Sequence, residues 1–191
     1  MPQQFRTQVT DHFDFRWKND KNQALILESD LQNYNQIPEE VQHRLCKQFL
    51  YQDFFKTFSR FFWFLKPYEG YNEISKKCLN YTTHGHRQIY NWGDSVYRNF
   101  IMDLLMNLEP YRNFKKTVLF DELGEFTEVL FIGKGTVLVG YEINKETRYC
   151  IKYENYCVLG PYEILYQQRS AYIYTAMTNI QGYSIRRSNW I

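Results

Sequence analysis

The feature that most constrains this fold is a change of hydrophobic period in the C-terminal half. Before Leu108, apolar residues recur every three or four positions, as on one face of a helix. Beyond it, Val137, Val139, Tyr141 and Ile143 alternate with smaller or polar residues, the period-two sign of a strand. Val129 to Ile132 forms a continuous apolar run, and Gly133-Lys134-Gly135 after it predicts a tight hairpin turn. Asn144-Lys145-Glu146-Thr147 predicts a second hairpin loop leading into a strand over 148–153. Tyr172 to Thr178 and Gln181 to Arg186 read as a last strand pair. About eight short strands with glycine-bearing turns imply an antiparallel eight-stranded β-roll, jelly-roll-like, in an α+β chain.

The N-terminal part has the other period. Pro2 suits a first helical turn, and Phe5, Val9, Phe13 and Trp17 then share one face. Lys18-Asn19-Asp20-Lys21-Asn22 breaks that helix, and a shorter piece is expected around Leu25 to Tyr34. Ile37-Pro38-Glu39-Glu40 marks a helix start whose two acids complement the dipole. Val41, Leu45 and Phe49 should form its apolar row, joined by Cys46 and Leu50, with His43, Arg44 and Lys47 on the opposite side. Asp53 is the expected cap of a third helix carrying Phe54, Phe58, Phe61 and Leu65. The Phe61-Phe62-Trp63-Phe64 cluster exceeds what a lone helix pair hides, so it belongs to an interface or to a larger core. Asp94 then offers an N-cap to a helix burying Tyr97, Phe100, Ile101, Leu104, Leu105 and Leu108, with Pro110 ending it. These periods divide the chain into a helical region over 1–66, a loop or insertion over 67–91 and a β domain over 92–191.

Composition removes several classes. A formal charge of +2 gives no basis for nucleic-acid binding. The four cysteines lack a Cys-x-x-Cys spacing and there is no signal-peptide pattern, so reduced thiols are expected. The most apolar run, 54–65, is interrupted by Lys56, Ser59 and Arg60 and is too short to span a bilayer. Cys78, His84 and His86 lie close in sequence, but one such group without paired spacings reads as a solvated loop, and no metal is expected. The predicted strands carry no histidine, so a metal-dependent enzyme is not expected and no catalytic residue is assigned.

One loop carries chemistry. Gly160-Pro161-Tyr162-Glu163-Ile164-Leu165 reads as a glycine opening a single helical turn, whose free N–H groups attract an anion. Arg169 follows at a distance that lets a fork-shaped cation close on the same anion, with Ser170 and Ala171 beside it. The alternative is that Arg169 pairs with a local carboxylate and the pocket is degenerate.

The order of amphipathic helix, roll, Phe131-Ile132-x-x-Gly135 hairpin and Gly160…Arg169-Ser170-Ala171 resembles the cyclic-nucleotide-binding domain. Upstream, 2–17 and 31–50 with Ile37-Pro38-Glu39-Glu40-Val41 resemble the C-linker that joins such a domain to a channel pore. The likeness is nearest to ether-à-go-go-type, hyperpolarisation-activated and cyclic-nucleotide-gated potassium or cation channels, protist members in particular. It covers nearly the whole chain apart from 66–91.

The resemblance implies a cytosolic gating module at the cytoplasmic face of a membrane. The C-linker would assemble a homotetramer and pass ligand-driven shifts to the rest of the channel chain. It implies cAMP or cGMP as regulatory ligand, no other cofactor, and Gly160, Glu163, Arg169, Ser170 and Ala171 as binding residues. It also implies a chain that starts after the first linker helix and stops before the lid helix. Where the family places an acid directly after the glycine to hold the ribose hydroxyl, this chain has Pro161. Glu163 is the available substitute, and weak or lost cyclic-nucleotide binding is expected. A soluble regulatory or scaffold protein with the same roll is the alternative.

Overall fold

A computed structural model describes residues 3–23, 27–58, 61, 63–64, 88–89 and 95–191. The expected insertion over 67–91, its Cys78, His84 and His86, and the Asp94 cap lie outside the described residues, save for the pair Gln88–Ile89. Helices α1 (Gln3–Asn19), α2 (Glu28–Gln36), α3 (Glu39–Leu45) and α4 (Gln52–Thr57) come first. A two-residue ladder joins β1 (Trp63–Phe64) to β2 (Gln88–Ile89), and α5 (Ser95–Met106) leads into the roll. The roll strands are β3 (Glu109–Asn113), β4 (Val118–Phe120), β5 (Glu128–Lys134), β6 (Val137–Ile143), β7 (Glu146–Tyr153), β8 (Cys157–Leu159), β9 (Ile173–Ala176) and β10 (Ile180–Arg186). A single turn, α6 (Pro161–Leu165), separates β8 from β9, and α7 (Arg187–Trp190) follows β10.

These eight roll strands form two four-stranded antiparallel sheets, β3-β10-β5-β8 and β4-β9-β6-β7, that do not close into a barrel. The α+β expectation holds, but two pairings differ from the sequence reading. The turn after β5 is not a hairpin: β5 pairs with β10 and β8, whereas β6 pairs with β7 and β9. Gly135, at φ +111°, hands the chain from one sheet to the other. A Cβ there would meet Ile180 Cγ2 at 2.6 Å and Asn179 O at 2.7 Å, so the turn is pressed against the start of β10. The last two strands likewise belong to different sheets. The β6–β7 hairpin is as expected: Asn144 and Lys145 both adopt positive φ, which matches the twist of a two-residue turn.

The continuous apolar run of β5 has a direct cause: Val129, Leu130, Phe131 and Ile132 are all fully buried, so both faces of the strand are covered. On one face Phe131 meets the rings of Phe54, Phe58 and Phe61 at 5.2, 5.3 and 5.4 Å and Trp190 at 6.3 Å. The N-terminal helices are thus fastened to the roll by an aromatic cluster. Phe54 and Phe58 are buried in this cluster, while Phe62 lies outside the described residues.

Other helical expectations shift. The third helix ends at Thr57, not Leu65, and Asp53 sits inside its first turn with Tyr51 at the cap position. Along the preceding helix the apolar row was misphased. Residues 46–50 widen into a π turn, with Tyr51 N–H reaching Cys46 O at 2.9 Å. The added residue rotates the buried stripe, so Cys46, Tyr51, Phe54 and Phe55 go inside while Val41 and Phe49 are exposed. His43 and Lys47, expected outside, are half-buried. In α5 Ile101, Leu104 and Leu105 are buried as read, whereas Phe100 is exposed. That helix stops at Met106, and Pro110 lies within β3, an edge strand where a missing N–H is tolerated.

One side chain ties three segments together. Asn22 donates its amide to Leu105 O at 2.9 Å and Met106 O at 3.0 Å, capping carbonyls at the end of α5. Its Oδ1 accepts the buried Tyr51 hydroxyl at 2.6 Å. On the far side α1 lies along β3: Arg16 pairs with Glu109 at 2.8 Å, and Arg112 sits 4.9 Å over the Phe15 ring. Glu109 also accepts Arg186 of β10 at 2.8 Å.

Candidate functional site

The candidate segment begins where β8 ends. Gly160 is in the left-handed region, φ +86°, and a Cβ there would lie 2.8 Å from Phe126 Cδ1 and 3.1 Å from Glu128 O. Both the conformation and the close approach select glycine. Pro161, whose fixed φ suits the first helical position, starts α6, and Ile164 anchors the turn as a buried side chain. Gly160 O accepts the Ile164 N–H at 3.0 Å, and Glu163 O accepts the Gln168 N–H at 2.8 Å. The returning chain is laced to 123–125: Arg169 forms a β-bridge with Glu125, Leu123 N–H donates to Ser170 O, and Ser170 N–H donates to Gly124 O, the last two at 2.8 Å.

The five predicted residues therefore lie on one turn and its return, but they are not equivalent. Arg169 is exposed, and among the described residues its guanidinium enters no ion pair. The Glu125 carboxylate, on the residue bridged by its backbone, is instead taken by Arg187 at 3.1 Å. Ser170 is buried and committed: its hydroxyl donates to Tyr172 O at 2.6 Å. Ala171 is exposed. Glu163 is half-buried in the first turn of α6.

Sequence reasoning missed the surface beside this turn. Strand register places Phe120, Tyr174, Val139 and Ile151 in one row across β4-β9-β6-β7, and Ala176, Val137 and Tyr153 in the next row on the same face. Phe120 and Phe126 pack with their rings tilted by 39° at 4.1 Å, and Tyr174 meets them edge-on at 5.9 and 5.8 Å. Phe126 also abuts Gly160, the residue that opens α6. At the β7 end the face is uncovered, with Ile151 44% and Tyr153 40% exposed. Burial first, then the nearby Glu163 carboxylate, pushes the Tyr174 hydroxyl up to about 12. The signal for these tyrosines was their period-two spacing, but the face they occupy depends on which strands pair. Among the described residues no group of His, Cys, Asp and Glu is arranged to hold a metal.

No protein-family model matches the sequence, and no curated protein does. Solved structures with a similar arrangement include the regulatory domain of Toxoplasma gondii PKA with cAMP, at 15% identity and TM-score 0.44, over 51% of this chain and 36% of that one. A cAMP-binding acyltransferase from Mycobacterium smegmatis is similar at 15% identity and TM-score 0.42, over 52% and 31%. The regulatory subunit of a cAMP-independent protein kinase A from Trypanosoma cruzi, bound to guanosine, is similar at 20% identity and TM-score 0.40, over 44% and 30%. The chain spans about a third of the length of these structures. The likeness is one of arrangement, and each ligand is a property of the protein that carries it.

Proposed function

We propose that the chain is a regulatory module of the cyclic-nucleotide-binding type, with weak or lost cyclic-nucleotide binding, serving at the cytoplasmic face of a tetrameric potassium or cation channel. The observation that carries the ligand half is the Gly160-opened turn with an exposed, unpaired Arg169 on its return. A phosphate there would meet a fork-shaped cation without displacing an existing ion pair. Titration calorimetry with cAMP and cGMP should give weak heat that Arg169→Ala abolishes. Binding unchanged by that substitution would overturn the phosphate assignment.

The linker half rests on α1. Its Phe15 and Arg16 side docks on β3, while Phe13 and Trp17 are 64% and 74% exposed and Val9 lies on the same row. An apolar helix row left to solvent is what a subunit contact needs. Light scattering should show mass rising with concentration, and Phe13→Glu with Trp17→Glu should suppress it. A strict monomer at high concentration counts against the ring. Among the described residues no helix is long and apolar enough to cross a membrane. Hydrophobic spans encoded immediately upstream would separate this reading from a soluble regulatory or scaffold protein.

A further inference from the structure

We infer that the end of the roll where the 114–117, 134–136 and 177–179 loops meet docks on an anionic lipid surface. This is the opposite end from the loop that holds the return of α6, and the inference stands whatever ligand that turn takes.

Hydrogen bonds lace these loops into one tip. Lys115 N–H donates to Asn179 Oδ1 at 2.9 Å, and Lys116 N–H donates to Ala176 O at 2.7 Å. Met177 N–H donates to Thr136 O at 2.8 Å, Thr136 N–H to Thr178 Oγ1 at 3.0 Å, and Gly135 N–H to Asn155 Oδ1 at 2.7 Å. Lys116 is held at φ +71°, a left-handed position uncommon for lysine. The tip carries two chemistries at once. Lys115, Lys116 and Lys134 are exposed, and among the described residues none of them enters an ion pair. The one carboxylate on these loops, Glu154, is taken by Lys152 at 2.8 Å. Phe114, Met177 and, next to Asn155, Tyr156 are exposed as well. The other end of the roll is acidic: Glu142 N–H donates to Glu122 Oε2 at 3.0 Å, and Asp121, Glu125 and Glu146 belong to the same two loops. A small net charge therefore conceals a charge axis along the roll. Ammonium groups interleaved with exposed Phe, Tyr and Met make an interfacial anchor, in which the charges meet anionic headgroups and the apolar side chains enter the acyl boundary.

Co-sedimentation of the chain with phosphatidylcholine vesicles, with and without phosphatidylserine, tests this. The chain should bind the phosphatidylserine vesicles and leave them as salt rises. Each lysine near the surface is worth about fivefold, so Lys115→Gln with Lys116→Asn should weaken binding about 25-fold; asparagine tolerates the left-handed position. Lys145→Asn with Arg148→Gln removes the same charge from the acidic end and should change binding by less than about twofold. Phe114→Ala should weaken it by about threefold or more, and serves as the second variant if the lysine pair unfolds. Binding without preference for phosphatidylserine, or equal loss in both charge pairs, overturns the inference. So does binding that survives the lysine pair and is lost in Phe13→Glu with Trp17→Glu, which would assign the anchor to α1. Self-association that the lysine pair suppresses, with no vesicle binding, would make the tip a contact between copies and overturn the lipid assignment.

Discussion

The two sheets of the roll are built from similar short strands, yet they do opposite jobs. In β3-β10-β5-β8 the central β5 is buried on both faces, with helices packed on Phe131 and α1 lying along the β3 edge. In β4-β9-β6-β7 the last strand is exposed along its whole length. The covered sheet carries stability and the attachment to the helical region. The open sheet leaves Ile151 and Tyr153 of β7 exposed beside the row that holds Tyr174. The lesson is that one roll can cover one sheet with helices and leave the edge of the other open, with α6 sitting at the crossing from one to the other.

The comparison breaks most directly by truncating one residue in each sheet. Phe131→Ala should destabilise by about 3–5 kcal/mol, because it removes the ring that Phe54, Phe58 and Phe61 share. Ile151→Ala, half exposed on β7, should stay within about 1 kcal/mol. Urea melts read both, and similar losses would show that the open sheet is not the dispensable one.

A middle-sized effect is expected at the crossing. Gly160→Ala forces a left-handed residue with a Cβ against Phe126 and should lose about 1–3 kcal/mol. It should also push Phe126 against Tyr174, seen as a change in tyrosine fluorescence. A variant as stable as the parent would mean that Phe126 yields freely.

The smallest effect concerns Glu128, at the start of β5. Burial raises its carboxyl above the ordinary range, partly offset by the Ser184 hydroxyl, while Glu109 raises it further and Arg186 lowers it. The folded chain then holds a proton that the unfolded chain has lost, so this group's contribution to stability falls as pH rises through the window above the usual carboxylate value. Melting curves from roughly pH 4 to 7 should show Glu128→Gln flatter and slightly more stable at the upper end. Lower stability of the Gln variant at neutral pH would show that attraction to Arg186 outweighs burial.

Much of this architecture was legible from residue pattern. Period two marked β6 and the 148–153 strand, and Asn144-Lys145 marked their hairpin. The apolar run marked a doubly covered strand, and Gly160-Pro161 marked a helical turn between the sixth and seventh strands of the roll. Misreadings came where a long-range contact overrode a local rule. Gly133 to Gly135 looks like a hairpin turn because local sequence cannot say that the next strand joins the other sheet. The π turn at Cys46 shifted a helical stripe by one residue, and nothing in Val41, Leu45 and Phe49 foretells that slip. At the candidate site, Arg169 was visible as a residue, but its freedom from carboxylates was not. The tyrosine face was invisible until register placed Tyr174, Val139 and Ile151 in one row.

By itself, then, the sequence determined the elements: where period changes, where a glycine must take a positive φ, and which turn offers a cation after a short helix. These are local properties of backbone sterics and side-chain spacing. Tertiary structure decided which strands share a sheet, which face of each is left open, and whether Glu163 and Arg169 are engaged or available. Those outcomes depend on contacts between residues far apart in the chain, whose energies no local window contains.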